Sequence, residues 1–318
     1  MYRTRLSAWR GSFQRRARFT VVAVVLLALA ASLLVAGCTS PLAPKPIQIT
    51  DDLGRAVTIS KLPQRIVSLA PSNTEILFAL GLGDKVVGVT DADNYPPEVS
   101  KIERVGGAYS AESTNFEKIV ALKPDLVLTI NVSSVISQLD KLGITTVALQ
   151  PKDLDGVLKD ITLVGQITGA ESKADELVAS LNQRIKAVTD VVQTLPQDQR
   201  PTVFYQVSPD LWTTGPGTFQ DSIIQMAGGR NVAADLGQPW GQYSLETLVA
   251  KNPDVIITPF PDVYQQLKAG TLAGWAAIKA VKTGRVYLID QDIMSRPGPR
   301  LVDALEQVAR DLWPDRFH

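Results

Sequence analysis

Asn115-Phe-Glu-Lys-Ile-Val-Ala-Leu-Lys-Pro-Asp-Leu-Val-Leu-Thr129 and Ser244-Leu-Glu-Thr-Leu-Val-Ala-Lys-Asn-Pro-Asp-Val-Ile-Ile-Thr258 repeat one pattern, offset by 129 residues without a gap. Each copy opens on a polar residue suited to cap a helix. Apolar residues at helical spacing follow: Phe116, Ile119 and Val120 in the first copy, Leu245, Leu248 and Val249 in the second. Pro124 or Pro253 stops the helix, and an apolar run then reads as a strand. Fifteen ungapped positions sharing one helix–stop–strand grammar point to a duplicated unit.

The flanking segments keep the same alternation. Residues 65–69, 86–90, 126–130 and 145–149 read as strands of a first lobe, with helices over 72–82 and 132–142. In the second lobe the strands are 202–207, 255–258 and 285–289, and the helices 219–227, 275–281 and 299–312. Strand–helix alternation builds an open, mostly parallel sheet covered by helices on both faces. The expected fold is therefore α/β, with two Rossmann-like lobes. Between them, residues 171–195 contain neither Gly nor Pro, and Leu177, Val178, Leu181, Ile185, Val188 and Val192 fall at helical spacing. One long backbone helix, about 35 Å at 1.5 Å per residue, joins the lobes. Such a stiff strut predicts only slight movement of the lobes on ligand binding. The expected organisation is an N-terminal lobe over 49–168, a linking helix over 169–196 and a C-terminal lobe over 197–318.

The N-terminus reads as a targeting segment. Residues 1–18 carry six arginines and no acidic residue, and residues 19–36 are apolar apart from Thr20 and Ser32. The run ends in Leu34-Val-Ala-Gly-Cys38. A basic stretch, an apolar core and small residues before a cut site describe a secretory signal peptide over 1–37. The apolar run is long enough to span a bilayer, but Cys38, the only cysteine, sits where the bacterial lipoprotein signature is acylated. A Pro-rich tether over 38–48 would follow, lifting the folded part off the membrane. Removal of the six arginines leaves 26 basic against 32 acidic side chains, a balance that argues against nucleic acid as a partner.

The composition also restricts chemistry. The single histidine is His318. Ser-His-Asp and Cys-His nucleophiles, and histidine-built zinc sites, need imidazoles held in a packed site. No Gly-rich phosphate loop precedes a Lys-Ser/Thr pair. The reading is a binding protein rather than an enzyme, with no resident cofactor or metal. A surface hydrolase acting through carboxylates and a sensory lipoprotein are the rivals outside transport.

Several stretches carry a family likeness. Arg65-Ile-Val-Ser-Leu-Ala-Pro-Ser-Asn-Thr-Glu-Ile-Leu-Phe-Ala-Leu-Gly81, Val87-Gly-Val-Thr90, Asn94-Tyr-Pro-Pro97, Val105-Gly-Gly107 and residues 119–127 resemble the periplasmic cobalamin-binding protein family. Gly228-Gly-Arg-Asn231, Ser244-Leu-Glu246 and Arg296-Pro-Gly-Pro-Arg300 extend the resemblance over nearly all of 47–314. The wider group binds iron-siderophores, heme and cobalamin for ABC importers and has the class III solute-binding fold.

The resemblance implies that this chain delivers a corrinoid, or alternatively heme or a ferric siderophore, to a permease dimer and its ATPase. It implies a monomer at the outer face of the cytoplasmic membrane, lipid-anchored through Cys38. It further implies one exposed glutamate per lobe for docking, matched to Glu75 and Glu246. Ser72-Asn-Thr-Glu75 also reads as a capping box, and Glu246 suits a first helical turn. The ligand is expected in the cleft between the lobes, where a flat macrocycle needs aromatic faces and a few polar groups. The candidates are Tyr95 and Tyr109 from the first lobe, and Trp212, Trp240, Asp292 and Arg296 from the second. One position departs from the best-known cobalamin binders: Ala92 stands where they place an aromatic wall. Tyr109 is the candidate ligand to iron if the cargo is heme.

Overall fold

The computed structural model describes residues 45–317, so the targeting segment, Cys38, most of the expected tether and His318 lie outside the described residues. The described chain opens with an antiparallel hairpin, β1 (Ile47–Thr50) and β2 (Ala56–Ile59). Its first strand begins within the stretch expected to be tether, because Ile47 and Ile49 pack into the core. Asp51 holds the turn by accepting the backbone N–H groups of Leu53 and Arg55. The same carboxylate accepts the Ala148 N–H at 3.2 Å, tying the hairpin to the first lobe.

The first lobe runs β3 (Ile66–Ser68), α1 (Pro71–Ala79), β4 (Val86–Val89), β5 (Glu103–Arg104), α2 (Phe116–Ala121), β6 (Leu126–Thr129), α3 (Ser133–Lys141), β7 (Thr146–Ala148) and α4 (Leu154–Thr168). The strands form one parallel sheet in the order β5-β4-β3-β6-β7. All four residues of β6 are buried. Leu126 and Leu128 face one hydrophobic cluster and Val127 another, as a strand covered by helices on both sides requires.

The linking helix, α5, spans Glu171–Gln193, and its 23 residues reach roughly 35 Å. It does not stand alone. Helix α4, absent from the sequence reading, turns back on it after Gly169, whose φ of 73° suits the left-handed cap. The two helices approach so closely that a Cβ on Gly165 would lie 2.5 Å from the Ala174 Cβ.

The second lobe comprises β8 (Thr202–Tyr205), β9 (Trp212–Thr214), α6 (Phe219–Met226), β10 (Arg230–Asn231), β11 (Trp240–Gln242), α7 (Leu245–Lys251), β12 (Val255–Thr258), α8 (Pro261–Ala269), α9 (Lys279–Lys282), β13 (Val286–Leu288), α10 (Gln291–Ser295) and α11 (Leu301–Leu312). Its main sheet is parallel, in the order β10-β8-β12-β13, and β9 and β11 form a separate antiparallel ribbon. Helix α5 also packs on α11. There Arg184 donates to both Glu306 oxygens at 2.8 Å and to Asp303 at 2.6 Å. These carboxylates raise the Arg184 pKa. The helix expected over 275–281 is broken into a 3-10 turn at Trp275–Ala277 and α9. Trp275 itself is buried against Phe204.

The repeat holds to the level of single backbone angles. Asn115 caps α2 by accepting the Lys118 N–H, and Ser244 caps α7 by accepting the Thr247 N–H. Past each helix the chain takes a left-handed residue at the same repeat position, Lys123 with φ 48° and Asn252 with φ 46°. That residue turns the chain so that the following Pro can lead into the buried strand.

Candidate functional site

In the first sheet, β3 is followed by β4 on one side and flanked by β6 on the other. The chain therefore leaves the carboxyl ends of β3 and β6 in opposite directions and opens a crevice there, the usual binding position of such sheets. Ala70 and Pro71 after β3, and Ile130 and Asn131 after β6, form one wall of a cleft of about 550 Å³. Leu149, Gln150 and Lys152 extend that wall beyond β7. The second lobe closes the other side with Thr218 and Phe219 at the start of α6, Trp240 at the start of β11, and Ser295 and Arg296 at the end of α10.

Three of the six expected ligand contacts converge here. Tyr109, 75% exposed, stands in the lining from the first lobe, and Trp240, 45% exposed, from the second. Arg296 is the third. Ala92 also lines the cleft. Apart from Lys152 and Arg296 the lining is apolar or neutral, and among the described residues it contains no carboxylate, cysteine, methionine or histidine.

The other three expected contacts lie outside the lining. Trp212 pairs with Gln242, and Trp240 with Thr214, on the β9–β11 ribbon. Cross-strand partners share a face, so both tryptophans occupy the same face as diagonal neighbours. Of the two, only Trp240 lines the cleft. Asp292 is taken up by an ion pair with Arg296 at 2.9 Å and by Asn94, whose amide donates at 2.8 Å. The Tyr95 ring lies under the Arg300 guanidinium, 4.0 Å from centroid to carbon, and lines a different cavity.

Glu75 requires the largest correction. It was expected at the surface, closing a capping box with Ser72. Instead α1 begins at Pro71, its cap residue is Ala70, and no side chain caps it. The Glu75 side chain is 2% exposed and accepts Arg300 Nε at 2.9 Å and Nη2 at 2.6 Å. Arg296 Nη1 adds a longer contact at 3.4 Å. Two arginines from the far lobe thus take the carboxylate that sequence reasoning assigned to solvent, and the Glu75 carboxylate in turn raises the Arg300 pKa.

Glu246, by contrast, is exposed in the first turn of α7. Its carboxyl is held below the usual range by its own backbone N–H first, and then by the Ser244 hydroxyl. Its repeat partner is Glu117, exposed in the first turn of α2. Sequence reasoning missed Glu117 although the signal was in the repeat: the 129-residue offset that aligns the two helices also aligns these two carboxylates. Gln150, Lys152 and Phe219 were missed as well. They follow strand ends or open a helix at the cleft, positions that can be assigned only once strand order is known.

Two parallel-sheet lobes on a helical strut, with a cleft at the carboxyl ends of the strands, define a class of ligand-capturing proteins. The chain belongs to the periplasmic binding protein family, whose model matches residues 66–293. This family comprises transport binding proteins rather than enzymes, in keeping with the non-enzymatic reading. Among its relatives is an uncharacterized ABC transporter substrate-binding lipoprotein of Bacillus subtilis, YvrC. That relative is 41% identical over 308 residues, covering 91% of this chain and 96% of its own length. The fold is similar to the crystal structure of the vitamin B12 binding protein BtuF of Vibrio cholerae, with a TM-score of 0.70 and 31% identity over 80% of this chain and 99% of that one. It is also similar to the heme-binding protein RhuT from Roseiflexus sp. RS-1, with a TM-score of 0.67 and 28% identity over 79% and 98%.

Proposed function

We propose that this chain is the substrate-binding component of an ABC importer and captures cobalamin or a related corrinoid in the inter-lobe cleft. The observation that carries this reading is the lining of the cleft. Aromatic side chains from both lobes line it, Tyr109 from the first and Phe219 and Trp240 from the second, among residues that are otherwise apolar or neutral apart from Lys152 and Arg296. Flat rings are held by such faces, with polar side chains fixing orientation. Apart from the Tyr109 phenol, no strong metal ligand lines the cleft among the described residues. A corrinoid brings its cobalt with the coordination sphere already supplied, so it needs no ligand from the wall. The family resemblance and the likeness to a vitamin B12 binding protein point the same way.

Heme is the second reading, because Tyr109 presents its phenol at the rim. Calorimetry and absorbance titrations with cyanocobalamin, hemin and a ferric hydroxamate separate these cargoes. The expected outcome is one-to-one binding of cyanocobalamin, and a preference for hemin with a phenolate-ligated iron spectrum would replace it. Failure of all three to bind would remove the assignment to this group of ligands.

Docking on the permease is assigned to Glu117 and Glu246. Their exposure and their equivalent first-turn positions, one on each lobe, support this, with the strut holding their spacing. Lipidation of Cys38 would keep the chain on the outer face of the cytoplasmic membrane, as a monomer with no nucleic-acid partner.

A further inference from the structure

Beside the cleft, the two lobes are joined by charge. Arg300 forks onto Glu75 with bonds of 2.9 and 2.6 Å. Arg296 donates across to the Asn94 side-chain Oδ1 at 2.7 Å, the Ala92 backbone carbonyl at 3.2 Å and Glu75 Oε1 at 3.4 Å. The Asn94 amide returns a bond to Asp292 at 2.8 Å. Each of these contacts joins the first lobe to the second, across 198 to 225 residues of chain. Two cations face two carboxylates, so the network is electrically balanced. Its centre is little exposed, at 2% for the Glu75 side chain, 12% for Arg296 and 18% for Arg300, whereas Asp292 is 30% exposed and Asn94 lies at the surface. The backbone is shaped for the approach. A Cβ on Gly298, between the two arginines, would stand 3.3 Å from the Ser72 carbonyl oxygen and 3.7 Å from the Glu75 carboxylate.

The network also divides two spaces. Ser72, Ala92 and Arg296 face the ligand cleft, whereas Glu75, Tyr95 and Arg300 line a separate cavity of about 490 Å³ on the other side. We propose that Glu75 is a positioning residue for the ligand site: an inter-lobe clasp that sets the width of the cleft and holds Arg296 in its wall. The chemistry suits a clasp that must also release. Burying ion pairs costs desolvation that largely offsets their attraction, so such a network specifies one arrangement without making it irreversible. Removing one partner is a different matter, because the remaining charges lose their compensation.

The clasp itself is tested without any ligand, and only the second arm of the experiment rests on the corrinoid reading. Hydrogen exchange of the full chain is followed by mass spectrometry for the native protein, Glu75→Gln and Arg300→Lys. Glutamine keeps the shape and loses the charge, and lysine keeps the charge and loses the fork. Exchange over residues 92–95 and 291–300 should accelerate at least tenfold in both variants, with residues 171–193 unchanged. Release of cyanocobalamin, followed by stopped-flow tryptophan fluorescence, should accelerate at least fivefold in the same variants. Unchanged exchange in both segments overturns the clasp. Acceleration spread evenly through both lobes also overturns it, since Glu75 would then serve folding. Faster exchange with unchanged release overturns the claim that the clasp sets the cleft. If cyanocobalamin does not bind the native protein, the cargo reading fails, and the exchange data alone decide the clasp.

Discussion

Trp240→Ala tests the cleft most directly. Trp240 is 45% exposed. A tryptophan side chain offers up to about 250 Å² of surface, so roughly 110 Å² remains for a ligand to cover. At about 25 cal/mol per Å², complete coverage contributes about 2.8 kcal/mol, and coverage of one ring face about half of that. Truncation should therefore weaken cyanocobalamin binding about 10- to 100-fold. Trp212 provides an internal control: it is 40% exposed on the same face of the same ribbon but does not line the cleft. Trp212→Ala should change affinity by no more than about threefold, the size of an effect felt only at the margin of a site. Trp240→Phe should recover most of the loss, because it restores an aromatic face. Isothermal titration calorimetry gives the affinities, and quenching of the remaining tryptophans reports occupancy. Equal losses in Trp212→Ala and Trp240→Ala, or full affinity in Trp240→Ala, would show that the ligand does not sit against this wall.

Four further outcomes are expected. Glu117→Ala combined with Glu246→Ala should leave ligand affinity intact and abolish most uptake in proteoliposomes holding the cognate permease, since two contacts on one rigid body fix orientation together. Undiminished uptake would return docking to other residues. Burial first, and then the charge of Asp52, push the Asp160 carboxyl from 3.8 up to about 8. The folded state thus favours the neutral acid, so stability is greatest below the unfolded pKa and falls as pH rises toward 8. Asp160→Asn should raise the melting temperature above pH 7 and leave it unchanged near pH 4, and an unaltered pH slope in calorimetric melts would contradict this. Arg184→Ala frees the strut from α11 and should cost on the order of 1 kcal/mol in denaturant unfolding, modest because the pairs are partly exposed; a loss several times larger would mean that the strut depends on more than these ion pairs. Cys38→Ser should yield a chain that is not acylated, checked by detergent partitioning, and a mature-sized lipoprotein in the detergent phase would disprove the anchor.

Much of the architecture was legible because it is written in local periodicity. Residues 171–195 have helical spacing and no breaker, and α5 spans Glu171–Gln193. The paired stretches at 115–129 and 244–258 keep their caps, their left-handed turns and their strands, since each of those features depends on residues close in sequence. Helix α4 is less legible because its interior glycines, Gly156 and Gly165, weaken helix propensity, and only the packing shows that Gly165 makes room for Ala174. The hairpin at Ile47–Ile59 was overlooked because the prolines before it suggested a tether.

The sequence by itself determined the α/β class, the duplicated lobes, the strut, and Tyr109, Trp240 and Arg296 as residues of interest. Only the tertiary structure decided where Glu75, Tyr95, Trp212 and Asp292 belong. A carboxylate in a first helical turn is equally compatible with capping, with solvent and with an ion pair. What settled Glu75 was Arg300, 225 residues away and brought to 2.6 Å by the packing of two lobes. The pairing of two strands, rather than either strand alone, puts Trp212 and Trp240 on one ribbon face, and of the two only Trp240 lines the cleft. Local propensity acts over a few residues, whereas burial and charge compensation depend on partners that only the fold brings together.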